Sequence, residues 1–125
     1  MDFPKELKYT KEHIWVRVDG DEATIGITDY AQSELGEIVF VELPALDIEV
    51  EKDASFCVVE STKTASDIYA PVSGKVSAIN SELESTPNAV NEDPYQTGWI
   101  AKITGFTDAD LASLLSADDY ETLVK

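Results

Sequence analysis

The sequence predicts a mainly β protein with a short internal helix and helices at its C-terminal end. Short runs rich in β-branched and aromatic residues, such as "HIWVRV" and "EIVFVEL", recur before Gly105. An Asp-Gly pair, Asp19-Gly20, separates two such runs, as in a β-hairpin. After Gly105 the apolar residues take a helical spacing, with Leu111, Leu114 and Leu115 on one face.

The first elements follow from local signals in residues 13–44. "HIWVRV" and "EATIGI" are predicted to form the first hairpin. In "TDYAQSELG", Thr28 or Asp29 caps a short helix, and Gly36 is expected to end it in the left-handed conformation. "EIVFVEL" follows as a strand that ends at Pro44.

The middle of the chain is predicted to hold most of the remaining strands. "DIEVEKDASFCVVES" is expected to form a strand pair with a turn near Lys52-Asp53. The consecutive apolar residues Phe56 to Val59 indicate a strand buried on both faces. "TASDIYA" and "KVSAIN" are strands on either side of a "PVSG" turn, residues 81–98 are mostly loop, and "WIAKIT" is the last strand.

The helical end and the domain organisation complete the prediction. "TDAD" at Thr107 to Asp110 resembles a capping box, and "SADD" begins a second helix. With 125 residues the chain fits one domain. We expect a β body over about residues 8–104 and a helical extension over about residues 107–125.

The charge balance restricts the partners of the protein. Twenty-five acidic residues against nine basic ones give a net charge of -16. Nucleic acids and anionic membrane surfaces would repel such a chain, so we expect neither as a partner and favour proteins with basic docking faces. The N-terminus "MDFPKELKYT" lacks the apolar core of a signal peptide, which predicts a reducing cytoplasm.

The sequence is poor in catalytic and metal-binding groups. Cys57 and His13 are its only cysteine and histidine, so neither a disulfide nor a zinc site of Cys and His is predicted. A Cys-His nucleophilic pair is formally available, but Cys57 lies in the apolar run "SFCVVE", which is typical of a buried structural thiol. Acid pairs are too numerous for any one to indicate a general acid/base dyad. We therefore favour a carrier or binding role over an enzyme.

Lys63 is the one residue with a plausible chemical role. It is the only basic residue in "VVESTKTASDIYAPVSG" before Gly74, with Glu60 and Asp67 as the nearest carboxylates. The strands on either side predict a tight hairpin with Lys63 at its tip. An exposed lysine on a turn is most often merely solvated, but its flexible amine is also a usual site of acyl modification.

Several blocks in this order resemble the glycine cleavage H-protein family of lipoyl carriers. The matching blocks are "YTKEHIWV", "ATIGITDYAQSELGEIVFVELP", "VVESTKTASDIYAPVSGKV", "NEDPY" and "GWIAKI". The resemblance implies a barrel-sandwich hybrid, a flattened β-barrel of two antiparallel sheets with a C-terminal helical extension. It also implies that lipoate is attached through an amide to Lys63, within the recognition motif Glu60, Ser61, Thr62 and Thr64.

The resemblance further implies a shuttle between enzymes, with no catalysis by the chain itself. A pyridoxal-phosphate-dependent glycine decarboxylase would load an aminomethyl group onto the lipoyl arm. A tetrahydrofolate-dependent aminomethyltransferase would unload it, and dihydrolipoamide dehydrogenase would reoxidise the dithiol. A lipoate-attaching enzyme would modify Lys63 first, and the carrier is expected to be a monomer.

One departure from the family pattern concerns the cleft that shelters the loaded arm. Where the family usually has His-Glu-Trp, this chain has His13-Ile14-Trp15. A carboxylate can pair with the aminomethyl cation, whereas an isoleucine cannot. We therefore expect arm protection to be weaker in this chain, or to rely on Asp67 and Glu12.

Three other functions fit the sequence less well. A biotin carrier would have methionines beside the lysine, and Met1 is the only methionine. A lipoyl domain of a 2-oxo acid dehydrogenase would lack the helical extension and the "TDYAQSELG" segment. A lipoate depot that passes lipoyl groups to other enzymes is the more serious alternative, because of Ile14.

Overall fold

The structure is a computed structural model that describes residues 2–124. Within this range the chain forms nine β-strands and four α-helices. The strands are β1 (Lys8–Tyr9), β2 (Ile14–Asp19), β3 (Glu22–Ile27), β4 (Ile38–Glu42), β5 (Glu49–Val50), β6 (Ser55–Ser61), β7 (Ala65–Tyr69), β8 (Gly74–Ile79) and β9 (Ala101–Thr104). The α-helices are α1 (Asp29–Leu35), α2 (Ala89–Glu92), α3 (Asp108–Ala112) and α4 (Ala117–Val124), and a 3-10 helix covers Ser81–Glu84.

The strands form two antiparallel sheets that face each other across one core. The larger sheet has the order β1-β2-β3-β9-β8-β5, and the smaller has the order β4-β6-β7. Ile25 and Ile27 of the larger sheet and Val41 and Val59 of the smaller one are buried in the same cluster. The predicted fold class is confirmed. In residues 2–124 the sheets remain separate, so the body is a sandwich that does not close into a barrel.

The larger sheet is also covered on its outer side, next to β1 and β2. Successive side chains of a strand point to opposite faces. Ile14 therefore enters the central core, while Trp15 packs on the outer side with Tyr9 and Tyr120. Trp15 lies opposite Gly26, where a Cβ would come within 2.6 Å of the indole nitrogen. This arrangement holds α4 against the sheet through Tyr120.

The predicted helix boundaries follow the capping residues. The Thr28 hydroxyl accepts a hydrogen bond from the Ala31 N–H and caps α1, and Thr107 with Asp110 forms the capping box of α3. Gly36 follows α1 with φ of 84° and ψ of -155°. The expected left-handed helical conformation is therefore wrong, although the positive φ still favours glycine.

The predicted pairing of the strands around Lys52-Asp53 is wrong. β5 pairs with β8 in the larger sheet, whereas β6 lies at the centre of the smaller one. The turn between them carries the chain from one sheet to the other. Its residue Asp53 has φ of 72°, and its N–H donates to the Ala70 carbonyl. A crossing between sheets and a hairpin share the same turn residues, so the sequence pattern does not distinguish them.

Residues 81–98 are mostly loop, as predicted, but they also contain the 3-10 helix and α2, whose Leu83 and Val90 are fully buried and anchor these turns to the core. The expected burial of β6 on both faces is wrong. In β6, Cys57 and Val59 are buried, but Phe56 and Val58 are only half-buried. The smaller sheet therefore has one face on the core and the other towards solvent, as is common for antiparallel sheets.

Candidate functional site

Lys63 lies at the tip of the hairpin formed by β6 and β7, and Ser61 fixes that tip. The Ser61 N–H donates to the Thr64 carbonyl over 2.7 Å. The Ser61 hydroxyl accepts from the N–H groups of Lys63 and Thr64, both at 3.1 Å. Serine is favoured in turns because its hydroxyl can bond the backbone in this way. The serine of the predicted motif therefore has a structural role in presenting the lysine.

The Lys63 side chain is exposed, and its stem lies against Gly36. A Cβ built on Gly36 would be 3.2 Å from Cε of Lys63. Among residues 2–124, no carboxylate lies within ion-pairing distance of the Lys63 ammonium. The amine is therefore accessible to another protein, and no internal ion pair has to be broken to modify it.

The hairpin tip is docked on the segment that joins α1 to β4. The Thr62 N–H donates to the Glu37 carbonyl over 3.0 Å. Asn91 of α2 holds this segment from the other side with three hydrogen bonds. Its Oδ1 accepts from the Ile38 N–H at 2.8 Å, and its Nδ2 donates to the Gly36 carbonyl at 2.8 Å and to Gln32 Oε1 at 3.0 Å. We call residues 36–38, held in this way, the platform.

The other residues of the predicted recognition motif surround Lys63. Thr62 and Thr64 are exposed in the turn itself, because β6 ends at Ser61 and β7 begins at Ala65. Glu60 is exposed and lies opposite Ala65 on β7 and Phe40 on β4. The structure therefore brings the whole motif to one end of the smaller sheet.

A cleft of about 270 Å³ lies beside the hairpin, between α1, β7 and the segment before β2. Ile27, Ala31, Leu35 and Ile68 form its apolar part. Its polar lining comprises Glu12, His13, Tyr30, Glu34, Ser66 and Asp67. Ser66 is three residues from Lys63, and Leu35 precedes the platform, so the cleft lies next to the lysine.

The structure brings together Glu12 and Asp67 but places Ile14 elsewhere. Glu12 and Asp67 both line the cleft, and one oxygen of Asp67 accepts a hydrogen bond from the Ser55 hydroxyl at 3.2 Å. Ile14 is 1% exposed, lies in the central core and is not part of the cleft lining.

Glu34 is a third cleft carboxylate, which the sequence analysis missed. It is exposed and lies three residues after Ala31 and next to Leu35, the two α1 residues that pack partly against the core. The three-residue spacing from Ala31 to Glu34 was the sequence signal that could have predicted this position.

His13 connects the cleft to the C-terminal helix. Its Nδ1 lies 2.8 Å from the Tyr120 hydroxyl, which lies 2.8 Å from the Thr28 hydroxyl that caps α1. Burial lowers the pKa of His13 below its ordinary 6.5, and the nearby charges of Glu12 and Glu34 oppose this shift in part. A neutral imidazole can accept the Tyr120 O–H at Nδ1, which keeps the chain of hydrogen bonds in one direction.

Cys57 has the environment of a structural thiol, as predicted. It is 4% exposed, and burial raises the pKa of its thiol to about 12. A thiol in this state supplies almost no thiolate near neutral pH. Within residues 2–124, no group of three or more His, Cys, Asp and Glu side chains is placed to hold a metal ion. No helix in the same range is long and apolar enough to cross a membrane.

Comparison with known proteins identifies the family. The family model for the glycine cleavage H-protein matches residues 7–125. The chain belongs to the glycine cleavage H-protein family. The glycine cleavage system H protein of Staphylococcus carnosus is 55% identical over 124 residues, which cover 99% of this chain and 98% of the relative. The H protein of Carboxydothermus hydrogenoformans is 54% identical over 122 residues, covering 98% of this chain and 94% of the relative.

A solved structure supports the same assignment. The crystal structure of a glycine cleavage system H protein from Mycobacterium marinum has a TM-score of 0.86 and 34% identity, covering 95% of this chain and 96% of that one. An H protein is a component of the glycine cleavage system that serves as a carrier and not as an enzyme. This agrees with the sequence analysis, which favoured a carrier because the chain is poor in catalytic groups.

We expect the position of the platform to depend on Asn91. Asn91→Leu keeps the volume but leaves the Ile38 N–H and the Gly36 carbonyl without their partner, which should cost about 2–4 kcal/mol of unfolding free energy. Urea denaturation measures this change, and hydrogen exchange at the Ile38 amide should become faster. The matched control is Asn88→Leu at the N-cap position just before α2, where the side chain is exposed and bonds only Glu92. Equal losses of unfolding free energy in the two variants would contradict the proposed role of Asn91 in holding the platform.

The lowered pKa of His13 predicts a pH-dependent stability. In the unfolded chain His13 titrates near pH 6.5, whereas the folded protein binds that proton only at lower pH. The stability that depends on the neutral ring is therefore complete above about pH 6.5 and is lost as the pH falls through the folded pKa.

Since His13 is the only histidine, the change in stability between about pH 7.5 and pH 5.5 should come mainly from this residue. Denaturant midpoints across that range measure it. His13→Asn tolerates the φ of 68° at this position and should flatten the profile. A variant with the slope of the wild type would show that another group is responsible.

Proposed function

We propose that this chain is the lipoyl-bearing carrier of a glycine cleavage system, with lipoate attached to Nζ of Lys63. The observation that carries the proposal is an exposed lysine at the tip of a hairpin that is docked on a fixed platform. Membership of the H-protein family supports it. We also propose that the β body and the C-terminal helices work as a single carrier domain.

The surroundings of Lys63 fit a covalent arm. When the amide forms, Nζ bonds to the carboxyl carbon of activated lipoate, the activating group leaves, and the ammonium loses two protons. The positive charge disappears in this step, and among the described residues no ion pair of Lys63 opposes it. Once attached, the dithiolane supplies sulfur chemistry that accepts an aminomethyl group and a pair of electrons. Ser61 and the platform determine where the arm begins.

The proposed partners follow from the carrier role. They are the pyridoxal-phosphate-dependent glycine decarboxylase, the tetrahydrofolate-dependent aminomethyltransferase, dihydrolipoamide dehydrogenase and a lipoate-attaching enzyme. We propose that the carrier meets them as a monomer in the cytoplasm. The net charge of -16 favours brief encounters with basic docking faces.

The cleft beside the hairpin is the proposed resting place of the loaded arm. Its apolar part, which includes Ala31 and Leu35, suits an aliphatic chain, and its carboxylates suit a cationic cargo. With Ile14 in the core, the carboxylates that line the cleft are Glu12, Glu34 and Asp67. We propose that Glu34 supplies part of the negative charge of the cleft, to which the buried position 14 does not contribute.

The depot alternative drew its support from Ile14. Three carboxylates line the cleft although the chain lacks the glutamate that the family usually has at position 14. We therefore retain the carrier role as the main proposal. Reconstitution with purified glycine decarboxylase separates the two functions. A carrier supports exchange of bicarbonate with the carboxyl group of glycine, whereas a depot is lipoylated but supports no exchange.

Lys63→Ala should abolish lipoylation because the acceptor amine is lost. Intact mass after incubation with a lipoate-attaching enzyme, lipoic acid and ATP measures the lipoyl increment. Lys75→Ala, which removes another exposed lysine, should take up one lipoyl group as the wild type does. An increment that persists in Lys63→Ala would place the attachment site elsewhere.

Glu34→Gln should shorten the lifetime of the loaded arm. Removing one exposed carboxylate near a cation should speed its decay about two- to fivefold, the range expected for an exposed ion pair. The measurement is the loss of the aminomethyl mass increment from purified loaded carrier without partner enzymes. Glu84→Gln is the control, because Glu84 is exposed in the 3-10 helix outside the cleft. Identical decay in both variants would remove Glu34 from the proposal.

A further inference from the structure

Strand β4 exposes two consecutive apolar side chains close to Lys63. Val39 is 50% exposed and Phe40 is 46% exposed. In a regular strand one of two neighbouring side chains would point to the core. A bulge between Ile38 and Phe40 breaks this alternation, so both side chains face solvent. Bulges often occur next to functional sites, where they redirect side chains.

The register places this bulge at the hairpin tip. Ile38 lies opposite Ser61, and Phe40 lies opposite Glu60, which itself lies opposite Ala65 on β7. Side chains directly opposite one another share a face of the sheet. Phe40, Glu60 and Ala65 therefore form one row on the solvent face, immediately below the turn that carries Lys63.

The apolar side chains have an acidic surround. Glu37, Glu42 and Glu60 are all exposed beside them. Together with Val39, Phe40 and Ala65 we call this area the bulge surface. A matching partner would present an apolar hollow for Phe40 with lysine and arginine side chains around it, since opposite charges steer the encounter and the apolar centre supplies affinity.

We propose that the bulge surface is the docking site of the lipoate-attaching enzyme, which rests on the proposed attachment of lipoate to Lys63. That enzyme must bring an activated carboxyl group to Nζ itself, so its active-site entrance must lie over the hairpin tip. The enzymes that later use the arm meet its far end, which can reach away from the protein. The attaching enzyme is therefore the partner that most needs a contact at the base of the lysine.

The test is the kinetics of lipoylation with the attaching enzyme, lipoic acid and ATP. Phe40→Ser should raise the KM for the carrier about tenfold with kcat nearly unchanged, because a docking contact is made equally before and during the reaction. Leu46→Ser removes another apolar side chain, 53% exposed, outside the bulge surface, and should stay within about twofold of the wild type. Equal thermal unfolding midpoints establish that both variants fold.

A charge variant provides a second readout. The wild-type KM should rise with ionic strength, and Glu42→Gln should weaken that dependence, whereas Asp21→Asn, exposed in the first hairpin, should not.

Three outcomes would overturn the proposal. A KM for Phe40→Ser like that of Leu46→Ser would show that the bulge surface is not used. Normal lipoylation of Phe40→Ser with slow reduction of its arm by dihydrolipoamide dehydrogenase would assign the surface to that enzyme. A lower kcat at unchanged KM would indicate misplacement of Lys63 and not a docking contact. If wild-type carrier gains no lipoyl mass at all, the proposed function fails, which is distinguishable from each of these results.

Discussion

The hydrogen bond from the Thr62 N–H to the Glu37 carbonyl is the constraint on which the presentation of Lys63 depends. The tip of an isolated two-stranded hairpin is only marginally stable in water and would sample many positions. This bond ties the tip to residues 36–38, and Asn91 fixes those residues in turn through Gly36 and Ile38. The lysine is thereby held on a chain of contacts that ends in α2, twenty-eight residues further along the sequence.

This chain of contacts also explains why Gly36 is suited to its position. Its φ of 84° lies in a region that residues with a Cβ rarely adopt, and a Cβ there would press on the Lys63 stem. A larger residue would therefore affect both the end of α1 and the start of the proposed arm. The Asn91 amide donates to the Gly36 carbonyl, so one side chain holds the backbone at the point where the lysine needs space.

The elements with local signals were predictable from the sequence. Thr28, Asp19-Gly20 and the Thr107–Asp110 box act on neighbouring residues, and their patterns appear within a few positions. The hairpin around Lys63 follows from the same kind of signal. The family blocks added the two-sheet architecture, which composition and periodicity alone did not provide.

The features that were predicted wrongly, or were not predicted, depend on contacts between distant residues. The turn at Asp53 leads from one sheet to the other, and nothing in its own sequence distinguishes that path from a hairpin. In the sequence Asn91 is one polar residue within a polar segment, and only the fold places it against the platform. Ile14, expected beside the cleft, lies in the core because strand alternation points its side chain inward, whereas Glu34, for which the sequence analysis made no prediction, lines the cleft from α1.

The bulge surface lies on the solvent face of the smaller sheet, whereas the cleft lies along its edge strand β7, and Lys63 lies between them. Ser66 and Ile68 pair with Val59 and Cys57, which point to the core, and both line the cleft. Phe40 and Glu60 belong to the solvent face. An enzyme that docks on the bulge surface therefore does not need the space in which the arm is proposed to rest. The platform supports the hairpin tip that lies between the two surfaces. A change in the platform should therefore disturb both the attachment of lipoate and the shelter of the loaded arm, whereas a change at Phe40 or at Glu34 should affect only one of these two steps.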